Sequence, residues 1–127
     1  MLDVACGPGH LVAEAATRGS RPVGIDTAHA MIRRARATRP DLDFLRADAH
    51  RLPFPDASFD VATANFAILH LGDPQGAAAE LARVLTPGGH VALTVWDRPE
   101  RARLFGWVLD ALAAAGAEAP ADIPAGP

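Results

Sequence analysis

Met1-Leu2-Asp3-Val4-Ala5-Cys6-Gly7-Pro8-Gly9-His10 opens the chain. A short apolar run carrying one acid leads into a loop of small residues with two glycines, and an Ala-rich helical pattern follows over 10–18. This order reads as a buried parallel strand that turns tightly into a helix. The glycines permit backbone angles that other residues resist, and they let a ligand approach the main chain closely. In an open α/β sheet the carboxyl end of such a strand is where ligands bind.

Two phosphate-binding loops fail against this stretch. The dinucleotide pattern G-x-G-x-x-G needs a glycine where Val12 stands. The Walker loop fails on spacing and on the absence of lysine, since all twelve basic residues are arginine. Instead Asp3 precedes the loop and no basic residue lies inside it. An acid beside exposed backbone amides suits a ligand that carries both a cationic amine and a carboxylate. That chemistry points to an amino-acid-like cofactor rather than a pyrophosphate.

Outward from the loop, short apolar strands alternate with helical patterns. Residues 22–26 form a strand ending in Asp26, and Thr27 is the expected N-cap of a helix over 28–38, closed by Pro40. Residues 42–47 alternate well enough for a third strand and run into Asp48. Residues 49–58, with Pro53 and Pro55, read as a loop, and 59–64 as the fourth strand. Asp73-Pro74 caps a helix whose apolar face carries Ala77, Leu81, Val84 and Leu85. Pro87-Gly88-Gly89 reads as a turn, 91–96 as the fifth strand, and 100–115 as a helix with Leu104, Phe105, Val108, Leu109 and Leu112 on its apolar stripe. The tail over 116–127 is Ala-, Pro- and Gly-rich and is expected to be loose. Such alternation predicts a doubly wound, Rossmann-like parallel sheet in three α/β/α layers, with strand order 3-2-1-4-5 and a switch point between strands one and four. The domain expectation is one core over 1–115 and the tail.

Composition bounds the partners. The 127 residues are 50% hydrophobic and 21% charged, which is ordinary globular usage. A formal net charge of −3 argues against a general nucleic-acid surface. No apolar run is long enough for a membrane span, and the start lacks the basic and long apolar regions of a signal peptide. The expected setting is cytoplasmic. One cysteine, Cys6, excludes an internal disulfide framework, and no histidine–cysteine spacing suggests a metal site. Cys6 is read as a small buried filler.

The loop resembles the first motif of the class I S-adenosylmethionine-dependent methyltransferases, D-x-G-x-G-x-G, with Asp3, Ala5, Gly7 and Gly9 and with Ala in place of the first glycine. That variant is similar to the ubiquinone and menaquinone C-methyltransferase subgroup. The segment from Val23 to Met31 resembles the family's second motif. Asp48-Ala49-His50-Arg51-Leu52-Pro53-Phe54-Pro55-Asp56-Ala57-Ser58-Phe59-Asp60 is similar, almost letter for letter, to the family's D-A-x-x-L-P-F-P-D-x-S-F-D. Pro87-Gly88-Gly89 before the fifth strand is a further shared feature, so the resemblance runs from about Leu2 to Trp96.

The resemblance implies S-adenosyl-L-methionine as cofactor and a small-molecule methyl acceptor. It assigns the cofactor to Asp3, Ala5, Gly7, Gly9, Asp26, Met31, Asp48, Ala49 and Asn65. Asp26 would accept from ribose hydroxyls, as acids so placed also do in dinucleotide sites. Met31 would lie against adenine, although a core-facing helix methionine is an equal reading. Asp48 would accept from the exocyclic amine and the Ala49 N–H would meet a ring nitrogen, while Asn65 would contact the methionine part. His70, in an L-H segment similar to the family's, is the one candidate general base, and a capping or packing role is the plainer reading. No catalytic residue is otherwise assigned. Sulfonium chemistry needs alignment and exclusion of water more than a metal or a nucleophile.

The family's segment before the first strand and its last two strands have no counterpart here. Two readings stand: a piece of a longer protein whose coding frame continues ahead of Met1, or a minimal relative without activity. The alternatives in function are a non-catalytic binding or interaction module, self-associating through the exposed edge of the fifth strand, and an NAD-binding oxidoreductase.

Overall fold

The structure is a computed structural model that describes residues 1–97 and, beyond them, Ala111 and Ala114, both helical. The rest of the helix expected over 100–115 and the tail over 116–127 lie outside the described residues. The chain divides into two compact units, Met1–Val95 and Trp96–Pro127, and the first contains the whole sheet.

Five strands form that sheet: β1 (Leu2–Val4), β2 (Val23–Asp26), β3 (Asp43–Arg46), β4 (Phe59–Asn65) and β5 (Leu85–Thr94). Their order is β3-β2-β1-β4-β5 and every pairing is parallel, as the alternation of strands and helices predicts. Three helices, α1 (His10–Thr17), α2 (His29–Thr38) and α3 (Pro74–Val84), carry the crossovers together with a short 3-10 turn over Ile68–His70. β1 lies between β2 and β4, pairing Val4 with both Ile25 and Ala64. It is buried along its whole length, Leu2 and Val4 with the one acid Asp3 between them.

Two apolar clusters fill the layers. One joins Val12 of α1, Ile32 and Ala35 of α2, Cys6 and Phe44. The other joins Ala77, Leu81 and Val84 of α3 to β1, β4 and the loop residues Ala49 and Leu52. The helix periodicity marked those α3 positions correctly. Removing such a side chain, as in Leu81→Ala, costs about 2–5 kcal/mol by the usual core scale.

Two local expectations are corrected. Thr27 does not cap α2: the N-cap is Ala28, without a side-chain bond, and Asp26 Oδ1 accepts from the Ala28 N–H at 2.8 Å. The carboxylate one residue earlier satisfies the free amide that a threonine would otherwise serve. Likewise Pro87-Gly88-Gly89 lies inside β5 instead of ahead of it. Leu85 leaves the end of α3 and pairs at once with Phe59, and His90 then pairs with Val61 across a register shift. The residues between make a bulge, with Gly88 at φ +82°. A proline here needs no ladder bond, so the local turn chemistry is real but the strand starts before it.

Candidate active site

The loop after β1 rises out of the sheet with three residues in the left-handed region, Ala5 at φ +55°, Gly7 at +54° and Gly9 at +85°. Gly9 is packed against Phe44, which an added Cβ would meet at 2.6 Å, whereas nothing lies within 4 Å of a Cβ at Gly7. One glycine therefore serves packing, and the other leaves open space over the loop.

Asp26, at the end of β2, reaches this loop. Its Oδ2 accepts from the Gly7 N–H at 2.9 Å, while Oδ1 holds Ala28. Each oxygen has a second lone pair for a ligand hydroxyl. Ala5, Asp26 and Ala49 line one small cavity of about 40 Å³, with Thr27, Ala47 and Leu71 among its other walls. A larger cleft of about 470 Å³ adjoins it, lined by Thr27, Arg46, Ala47 and Asp48. Three strand ends and the glycine loop thus converge at one sheet edge.

Asp48 is exposed, and its Oδ1 accepts from the His50 N–H at 2.9 Å and pairs with His50 Nδ1 at 2.7 Å. These bonds to His50 hold its carboxyl below the usual carboxylate range. Asp3 differs from the other acids. It is 2% exposed, and its Oδ1 accepts from the Thr63 hydroxyl at 2.6 Å, because parallel register sets Asp3 beside Thr63. Burial raises its pKa, and the Thr63 bond only partly opposes that. Burial first, then the charges of Asp3 and Asp26, push the Cys6 thiol up to about 12. A thiol so buried and so weakly acidic is no nucleophile at neutral pH.

The remaining candidates Asn65, Met31 and His70 line neither cavity. Asn65 ends β4 and its Oδ1 accepts from the Thr94 hydroxyl. Met31 is 39% exposed, so the reading of it as a core methionine falls. His70 is exposed in the 3-10 turn. Sequence reasoning did not mark Thr27, Arg46 and Leu71 as cavity walls, and it placed Phe66 beside Asn65 at the switch point without foreseeing its backbone angle. Phe66 holds φ +53° at the carboxyl end of β4, its N–H donating to Thr94 O at 3.0 Å. An aromatic residue in that region is an outlier that persists where its surroundings fix it. No sequence signal announces such a backbone angle.

The donor set is acids and backbone amides, with Arg46 the one basic residue on either cavity wall among the described residues. It suits hydroxyl and amine groups better than a pyrophosphate. Among the described residues no cluster of His, Cys, Asp and Glu could hold a metal ion, and no helix is long and apolar enough to cross a membrane.

The methyltransferase-domain family matches residues 2–93. The chain belongs to the methyltransferase family. It is 37% identical over 99 residues to a demethylmenaquinone methyltransferase from Renibacterium salmoninarum, covering 78% of this chain and 42% of that one. Among solved structures, an S-adenosylmethionine-dependent methyltransferase from Mesorhizobium loti superposes with a TM-score of 0.70 at 32% identity, covering 77% of this chain and 46% of the other. The [4+2]-cyclase SpnF does so with 0.71 at 33% identity, covering 74% and 37%. This chain thus spans less than half the length of each. These methyltransferase relatives agree with the family that the motifs suggested, and the NAD-binding alternative loses its ground.

Proposed function

We propose that this chain is the cofactor-binding core of an S-adenosylmethionine-dependent methyltransferase that acts on a small molecule. The observation that carries the reading is the shared cavity of Ala5, Asp26 and Ala49, beside the Asp48 cleft, with open space at Gly7 on the same loop as Ala5. Asp26 would hold the ribose, Asp48 and Ala49 the adenine edge, and the loop amides with Asn65 the methionine part. Asp3 would act from beneath the loop as a buried negative charge towards the ammonium. Met31 would border the adenine. When bound, the cofactor supplies a sulfonium methyl that needs no metal or covalent nucleophile. The chain's own contribution would be alignment and exclusion of water.

The acceptor belongs to the same proposal. The demethylmenaquinone relative favours a small organic acceptor, whereas SpnF warns that one fold carries different reactions. His70 would be the base if the acceptor must lose a proton. A cytoplasmic setting rests on composition alone. Self-association through β5 is supported by exposed Val91 and Leu93, at 50% and 43%; light scattering that finds only monomer removes it.

Calorimetry with S-adenosylmethionine, S-adenosylhomocysteine and NAD tests the central reading. The first two should bind and NAD should not. A folded chain that binds neither sulfur compound overturns it.

A further inference from the structure

Helix α3 holds the loop after β3 at both ends. At its N-terminus the Asp73 N–H donates to His50 Nε2 at 3.2 Å, and the other ring nitrogen pairs with Asp48 Oδ1 at 2.7 Å. With Nε2 accepting, the ring proton sits on Nδ1 and is given to the Asp48 carboxylate. At the other end Glu80 and Arg83 grip the loop through its backbone. Glu80 Oε2 accepts from the Leu52 N–H at 2.7 Å. Arg83 donates from Nη2 to Leu52 O at 3.1 Å, and from Nη1 to Phe54 O and Asp56 Oδ1, each at 2.8 Å. Its Nε and Nη2 also bind Glu80, at 2.6 and 2.8 Å, so one carboxylate and one guanidinium form a single planar lock. The chain then continues the grip, with Ala57 N–H on Arg83 O and Ser58 N–H on Val84 O.

Neither Glu80 nor Arg83 lies on a wall of either cavity. Their effect is on where Asp48 and Ala49 stand. Ala49 is 5% exposed and Leu52 is 4% exposed, and both belong to the cluster that α3 packs against. A loop with Pro53 and Pro55 has little ladder structure of its own, so its position must come from outside.

We propose that Glu80 and Arg83 are positioning residues for base recognition, fixing Asp48 and Ala49 so that they discriminate an adenine edge. The proposal rests on the cofactor reading above and goes beyond it in naming what sets base selectivity. It also explains why the run from Asp48 to Asp60 resembles the family so closely although only its first two residues face the cavities. Leu52, Phe54 and Asp56 are the rungs that the α3 lock grips.

The test compares S-adenosylhomocysteine with S-inosylhomocysteine, which presents a carbonyl in place of the exocyclic amine, by calorimetry on the full chain. The parent should favour the adenosyl ligand by about tenfold or more, the effect of one strong hydrogen bond. Arg83→Lys keeps the charge and loses the fork. It should weaken the adenosyl ligand by roughly tenfold and the inosyl ligand by about twofold or less, lowering the preference by about five- to tenfold. Glu80→Gln, the milder variant, should move the same ratio by about threefold. In the ligand-free protein, hydrogen exchange at 49–56 should quicken in both variants with exchange in α1 and β1 unchanged. Equal loss of both ligands, or an unchanged ratio in a variant whose far-ultraviolet spectrum matches the parent, overturns the positioning role. Should Arg83→Lys fail to fold, the ratio and exchange in Glu80→Gln decide alone. A parent that binds neither ligand strikes the cofactor reading itself.

Discussion

The Gly7 N–H donates to Asp26 Oδ2 at 2.9 Å, so the loop after β1 hangs from the last residue of β2. The same carboxylate holds the Ala28 N–H at 2.8 Å and starts α2. One side chain therefore shapes two neighbouring strand ends before any ligand arrives. Asp26→Ala should lower the unfolding free energy by about 2–3 kcal/mol, since two charge-assisted bonds and two amides are affected together. Urea unfolding measures it. A change below about half a kcal/mol would mean that water serves both amides equally well.

Gly9 is packed against Phe44, whereas Gly7 faces open space. Gly9→Ala drives a methyl to 2.6 Å from Phe44 Cε1 at φ +85°, and it should unfold the chain at a much lower temperature than the parent. Gly7→Ala faces open space at φ +54°, so only a backbone penalty of about 1 kcal/mol is expected. Its methyl would nevertheless stand over the loop and weaken S-adenosylhomocysteine by tenfold or more. Thermal melts and calorimetry on both variants check the contrast, and it fails if the two behave alike.

The contrast also shows what the sequence made legible. Strand order, the three helices and the meeting of Ala5, Asp26 and Ala49 followed from the alternation of elements and the residue at each strand end. Asp3 reads from sequence like Asp26 and Asp48, yet its partner Thr63 lies sixty residues away and is supplied only by register. The bulge in β5 was hidden for a similar reason. Pro87-Gly88-Gly89 signals a reversal, and only pairing with β4 shows that Leu85 had already joined the sheet. Nothing local to Arg83 reveals that its guanidinium donates to the backbone of Leu52 and Phe54, about thirty residues back in the chain.

Ala5 holds φ +55° where the family pattern has glycine. An alanine there carries a left-handed strain of about 1–2 kcal/mol, offset in part by the lower chain entropy it gives the unfolded state. Ala5→Gly should raise stability by about 0.5–1 kcal/mol, read as the urea midpoint of the ligand-free chain. Ala13→Gly inside α1 is the control and should lower it by about 1 kcal/mol. If both variants lose stability equally, alanine carries no net strain at φ +55° and the chain-entropy cost of glycine dominates.

Asp3 gives the pH dependence. Its carboxyl is buried and its pKa lies above the ordinary value of 3.8, so the folded state keeps the proton that the unfolded state releases. Stability attached to this group is therefore highest below 3.8 and falls as pH rises through the folded pKa, after which the loss is constant. Asp3→Asn keeps an oxygen for the Thr63 hydroxyl and removes the ionisation. The difference in urea midpoint between variant and parent should shift in the variant's favour from acid to neutral pH, and stay level beyond. The same variant should bind S-adenosylmethionine less tightly if the buried charge faces the ammonium, giving stability and affinity opposite signs. A midpoint difference that is flat with pH would show that the ionised carboxylate is as well accommodated in the fold as in water.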